Sequence, residues 1–185
     1  MAQNVRIVDL DTYEPTDAEI VSCYGMMTAP DQLFWQYDDS WARTPTTPQQ
    51  EVRGFRERRD AQRGANHAFW AIVDGEVVGM IGVNRFEGPA RSHCAEIGYG
   101  VAAAYTRQGI ASRLLGAAIR KARAIGLERL EADCFEENAA SVALLRKFGF
   151  GEEGVRVGAI RKEDRLRNTR LFGLFLSEGN GGGDG

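Results

Sequence analysis

Residues 105–112 read Tyr-Thr-Arg-Gln-Gly-Ile-Ala-Ser and run straight into the apolar-periodic stretch Arg113 to Ile119. A small-residue loop therefore opens an amphipathic helix. The first amides of a helix have no internal acceptor, and the aligned peptide dipoles add partial positive charge, so such a junction can hold a phosphate or pyrophosphate. The predicted contacts are the main-chain amides of Arg107, Gln108, Gly109, Ile110, Ala111 and Ser112. Gly109 and Ala111 are small enough to let an anion reach the backbone. Taken alone, an ordinary loop-to-helix junction would read the same way. Glu96 stands in the middle of the apolar strand Cys94 to Val101, on the face of Cys94 and Gly98 and opposite Ile97 and Tyr99. A carboxylate there is costly unless it is paired with an arginine, solvated or in use as a base. Asn138 can cap a short helix and Ser141 follows three residues later, where capping and local backbone bonding compete with any binding role.

Those groups need a sheet to hold them. Residues 5–10 read as a first strand, and Thr16 or Asp17 can cap a helix reaching about Met26. Residues 27–64 are irregular, broken at Pro30, Pro45 and Pro48, and then helical from Glu51 to Gln62. Phe69 to Val73, the turn Asp74-Gly75, and Val77 to Val83 form a strong hairpin signal. A third strand, Cys94 to Val101, leads into the helix Ile110 to Ile125, which Gly126 terminates in a left-handed cap. Leu127 to Cys134 is a further strand. The helix capped by Asn138 ends at Phe148-Gly149, and Thr169 to Leu176 is the last strand. The expected class is mixed α+β, one central sheet with helices on both faces. A single domain over residues 1–176 is expected, with a Gly-rich, disordered tail over 177–185.

Composition narrows the function. With 43% hydrophobic and 26% charged residues and a formal net charge of −3, the chain has no global attraction to nucleic acid, so any polyanion is held locally. Asp9, Asp11, Glu14, Asp17 and Glu19 exclude a cleavable secretion signal, and no apolar run is long enough to span a membrane. A cytoplasmic location is the expectation. Cys23, Cys94 and Cys134 are an odd number at wide spacing, which suggests reduced thiols rather than disulfides. His67 and His93 have no ligand spacing, and no metal is implied. Trp35, Tyr37, Asp38, Asp39 and Trp41 can form a pocket for a cationic amine or pin a loop to the core. Arg53, Arg56, Arg58, Arg59 and Arg63 read as a solvated helix face.

The order of hairpin, strand, glycine loop, helix, strand, Asn-capped helix and Gly-Phe resembles the GNAT acetyltransferase superfamily. The likeness is carried by Ala95-Glu96-Ile97-Gly98-Tyr99-Gly100-Val101, by the loop at residues 106–111, and by Asn138 with Ser141, Leu144 to Phe150 and Glu153-Gly154. It covers roughly residues 67–176. The loop pattern of the family is R/Q-x-x-G-x-G/A, whereas this chain reads T-R-Q-G-I-A, with Thr106 and Arg107 as departures. The resemblance implies a mostly antiparallel sheet with a splayed parallel pair, and a bulge in the strand around Glu96. It implies acetyl-CoA as co-substrate, with its pyrophosphate on the loop, its pantetheine arm along Val101, and Asn138 nearby. It further implies transfer to a primary amine of a small molecule or a protein N-terminus, with Glu96 as base. Leu145 stands where many members carry the tyrosine that protonates the leaving thiolate, so the likeness points to the branch in which a serine, here Ser141, serves that site. A catalytically silent coenzyme A-binding module is the alternative from another class. Exposed edge strands in such sheets also allow a homodimer.

Overall fold

The computed structural model describes residues 4–37 and 46–176; Asp38, Asp39, Trp41, Pro45 and the 177–185 tail lie outside the described residues. Among the described residues seven strands form one sheet in the order β1-β2-β3-β4-β5-β7-β6. They are β1 (Arg6–Asp9), β2 (Asn66–Val73), β3 (Glu76–Arg85), β4 (Cys94–Val101), β5 (Arg129–Phe135), β6 (Gly151–Lys162) and β7 (Arg165–Phe175). Each neighbouring pair is antiparallel except β4 and β5. Those two are parallel and pair only from Cys94↔Arg129 to Glu96↔Glu131, after which they separate. The sheet thus carries a slot that opens at Glu96.

Among the described residues five α-helices flank it: α1 (Asp17–Met27), α2 (Pro30–Trp35), α3 (Pro48–Ala61), α4 (Ile110–Ala124) and α5 (Ala139–Lys147). Thr16 caps α1 in a reciprocal capping box with Glu19, which satisfies two otherwise unpaired donors. Pro30 and Pro48 do not break the chain as expected; each opens a helix, where its missing N–H would have been unpaired in any case. The last strand begins at Arg165 rather than Thr169, and β6 was not anticipated at all. It is a long, exposed edge strand, and its three glycines and many charged residues mask the short Val155-Arg156-Val157 alternation. Glu163 and Asp164 both take positive φ at the turn between β6 and β7, the signature of a primed hairpin turn.

Strand alternation divides the core into two layers. Ile81, Val83, Ala95, Ile97, Leu130 and Ala132 pack with Leu114, Leu115 and Ala118 of α4 and Leu145 of α5. On the other face, Trp70, Ile72 and Val77 meet Ile20 and Cys23 of α1 and Val52 and Phe55 of α3. A Cβ added at Gly79 would stand 3.2 Å from the Leu114 side chain and 3.3 Å from the Gly100 carbonyl, so the bare backbone there lets α4 settle onto the sheet. Leu114 is 0% exposed. Leu114→Ala is expected to cost about 2–5 kcal/mol of unfolding free energy, read from denaturant midpoints at constant m-value.

Candidate active site

The register of β3 and β4 runs from Gly79↔Val101 to Arg85↔Ala95 without a shift. The bulge implied for this strand is therefore absent, and its unpaired main-chain groups arise from the splay instead. Ala102 N–H donates to the Val78 carbonyl at 2.9 Å, so by alternation Val101, Tyr99 and Ile97 turn their backbone groups away from β3 and into the slot. The Val101 carbonyl is engaged there by the Gln32 side-chain amide at 2.9 Å. Gln32, from α2, thus occupies the strand edge that sequence reasoning gave to a pantetheine arm.

At the start of α4, Gly109 is the N-cap in the left-handed conformation and no side chain caps the helix. The first helical amide with an acceptor is that of Arg113, bonded to Gly109 C=O at 3.1 Å. Arg107 and Gly109 both have positive φ, 61° and 79°, which turns successive amides toward a common point as in an anion-binding nest. Ile110 contributes only its backbone, because its side chain is 1% exposed and packs in the core. The uncapped helix start and the β4 edge beyond its pairing with β5 fit a molecule that joins a pyrophosphate to a peptide-like arm.

A cavity of about 1060 Å³ occupies the slot, lined among others by Glu96, Tyr99, Asp133, Cys134, Asn138 and Ser141. Residues 107–112 and Val101 lie outside that lining, so the structure gathers Glu96, Asn138 and Ser141 but leaves the anion cradle apart, at the end of the loop that follows β4. Asn138 caps α5, its Oδ1 accepting the Ser141 N–H at 3.1 Å. Trp35 and Tyr37 pack against Phe135 with centroids 6.1 and 5.0 Å away, so the described part of the aromatic cluster is both pinned to β5 and part of the cavity wall. The arginines of α3 are less solvated than expected, since Arg56 pairs with Asp17 and Arg59 with Glu14, both at 2.7 Å. Arg58 also lines the cavity and has no ion pair among the described residues.

Three carboxylates share one sheet face across the slot. Burial pushes Glu131 upward, but hydrogen bonds from Arg129 and Arg91 outweigh this and hold it below the usual range. Glu96 has no hydrogen-bond or ion-pair partner among the described residues. Burial, followed by the fields of Asp133 and Glu131, raises its pKa. Asp133 is raised by burial as well, against the opposing pull of Arg156 at 3.4 Å. Sequence reasoning missed Asp133, although alternation with Glu131 along β5 would have placed it on the same face as Glu96. The Cys134 thiol, pushed up to about 11 by burial, is not poised as a nucleophile. On the opposite face, Tyr99 packs against the core cluster that contains Leu145 of α5. The slot can therefore receive a thioester from the α4 and α5 side and an amine from the side of Glu96 and Asp133.

Comparison with known proteins decides the class. The profile of the Acetyltransferase (GNAT) family matches residues 31–150. The chain belongs to this family. It is 31% identical over 120 residues to the L-amino acid N-acetyltransferase AaaT of Escherichia coli, covering 64% of this chain and 71% of that one. It is 28% identical over 136 residues to the putative phosphinothricin acetyltransferase YwnH of Bacillus subtilis, covering 72% and 80%. The fold superposes on the putative acetyltransferase YncA of Salmonella typhimurium, solved with its cofactor acetyl-CoA, with a TM-score of 0.75 at 19% identity over 95% of this chain and 96% of that one. This GNAT chain is accordingly an acyltransferase of a family whose acyl donor is acetyl-CoA, and the mostly antiparallel sheet with its splayed parallel pair is the fold of that family. None of its described helices is long and apolar enough to cross a membrane.

Proposed function

We propose that this protein transfers the acetyl group of acetyl-CoA directly to the primary amine of a small, amino-acid-like molecule. The observation that carries the reading is Glu96, an unpaired carboxylate where β4 and β5 part, in one cavity with Asn138 and Ser141. In this reading the amides of residues 107–112 hold the pyrophosphate, with Arg107 adding charge, and Val101 takes the pantetheine arm once Gln32 yields its carbonyl. Asn138 fixes the start of α5 beside the thioester. Glu96 accepts the proton of the incoming ammonium, and Ser141 donates a hydrogen bond to the departing sulfur. Bound acetyl-CoA supplies the activated acyl group. Direct attack is favoured over a covalent enzyme intermediate because the one cysteine of the cavity is held as a neutral thiol. The acceptor class is supported by the paired signs of the wall, acidic at Glu96 and Asp133 and cationic at Arg58, which suit a zwitterion. The name of the E. coli relative points the same way.

The test is thiol release from acetyl-CoA against a panel of amino acids, simple amines and N-terminal peptides. Turnover is expected with amino acids and only weakly with amines that lack a carboxylate. Preference for peptide N-termini would replace the small-molecule acceptor with a protein one. Tight acetyl-CoA binding with no turnover on any amine would instead mark a silent module.

A further inference from the structure

The carboxamide of Gln32 lies on the strand edge that the acyl donor would use. Its Nε2 donates to the Val101 carbonyl at 2.9 Å and to Asp31 Oδ2 at 3.1 Å, which commits both amide protons. Its Oε1 rests against bare backbone, since a Cβ on Gly100 would stand 2.9 Å from it. The side chain is thus laid along β4, beyond the point where that strand parts from β5. A carboxamide offers the same donor and acceptor as the amides of a pantetheine arm, so the two contend for one stretch of backbone. The helix that carries Gln32 can release it. None of the six residues of α2 is buried, the mark of a segment with low local stability. Its far end is fixed: Phe34 and Trp35 lie 6.3 and 6.1 Å from the Phe135 ring, the Arg167 guanidinium stands 5.0 Å over Phe34, and Lys162 Nζ donates to the Gln36 carbonyl at 3.0 Å. The tie from its near end to β4 is one side-chain hydrogen bond, worth little net against water.

We propose that Gln32 sets the affinity for the acyl donor as a built-in competitor: its carboxamide occupies the Val101 edge in the free protein, and the pantetheine arm binds when it swings away. This rests on the pantetheine placement of the proposed function. The affinity measured for the whole protein is then the intrinsic affinity reduced by the fraction of molecules whose edge is open. One net hydrogen bond implies an open fraction of about a tenth to a third. The cost falls on the arm alone, because the bonds of Gln32 go to Val101 and Asp31 and leave the amides of residues 107–112 untouched.

Calorimetric titration of the full chain with coenzyme A and, separately, with adenosine diphosphate tests this without turnover. Gln32→Ala should bind coenzyme A about three- to tenfold more tightly than the parent. Gln32→Met fills similar space without an amide proton and should gain affinity too, by less. It also decides the matter if melting curves show that the alanine variant does not fold. Adenosine diphosphate carries the diphosphate without the arm, so it should bind parent and variants equally. A group that only held the donor would instead lose affinity when removed. Equal or weaker coenzyme A binding in the variants, or a gain shared by adenosine diphosphate, overturns the proposal. Failure of coenzyme A to bind parent and variants alike overturns it together with the proposed function. Tighter coenzyme A binding without acetylation of any amine sinks only the proposed function.

Discussion

Glu96→Gln is expected to lower kcat/KM for an acceptor amine of pKa near 10 by about 10²–10⁴-fold, the usual contribution of a positioned base. Keeping such an amine neutral at pH 7 costs over about 4 kcal/mol, whereas an α-amine near pKa 8 costs only about 1 kcal/mol, so the loss should shrink toward the weaker base. The sign of the pH dependence follows from the raised pKa of Glu96. Only the ionised carboxylate accepts a proton, so activity of the parent falls as pH drops through that raised value, above the normal glutamate range. Glu96→Gln should lack this acid limb and retain only the one set by the amine. Asp133→Asn removes one of the fields that raise Glu96 and should move the limb to lower pH while keeping the base. Since the two carboxylates titrate in each other's field, each observed limb belongs to the pair. An acid limb that persists unmoved in Glu96→Gln assigns the base elsewhere.

The same substitution has an opposite expected effect on stability. A carboxyl group with a folded pKa above its unfolded one binds its proton more tightly in the native state, so its ionisation destabilises the fold as pH rises through that value. Glu131 is the contrasting case, with its pKa held down by Arg129 and Arg91. It adds stability at neutral pH that is lost on acidification. Glu96→Gln should therefore melt no lower than the parent at neutral pH, with the difference opening as pH rises from the ordinary glutamate range to the raised value and constant above it. A buried, unpaired carboxylate is here a local weakness of the fold, as expected where a proposed function sets the electrostatics.

How much of this was legible depends on where the determining contacts lie along the chain. The β2–β3 hairpin, α4 with its Gly109 start, and the Asn138 cap are local events, each announced by a few adjacent residues. Glu96 could be singled out because period-two alternation and the cost of a mid-strand carboxylate are both readable in eight residues. The splay itself was visible only through resemblance, since the pairing of β4 with β5 stops at Glu96 through tertiary geometry and not through any breaker residue. Gln32 reaches Val101 across 69 positions, and nothing near Gln32 signals that contact. The bulge expected in β4 failed for a related reason: the splay alone frees the strand edge, so an unbroken register with β3 suffices.

Gly109→Val is expected to raise the KM for acetyl-CoA about 100-fold or more. Two effects combine. Residue 109 sits at φ 79°, which for a β-branched side chain is a true outlier and costs on the order of 1–2 kcal/mol. Relief of that strain would rotate the neighbouring amides out of line, and loss of two charge-assisted bonds to a diphosphate, at about 1.5–3 kcal/mol each, is enough for the stated change. Gly109→Ala separates the two effects. A Cβ at this position meets no atom within 4 Å, so alanine brings the φ penalty with little obstruction, and its KM should rise by less than about tenfold. Acetyl-pantetheine, which carries the thioester without the diphosphate, provides the decisive control. Parent and Gly109→Val should use it equally poorly, because neither can apply the α4 amides to it. If the valine variant loses acetyl-pantetheine turnover to the same degree as acetyl-CoA turnover, the damage lies in the slot, and the amides of residues 107–112 are not the diphosphate site.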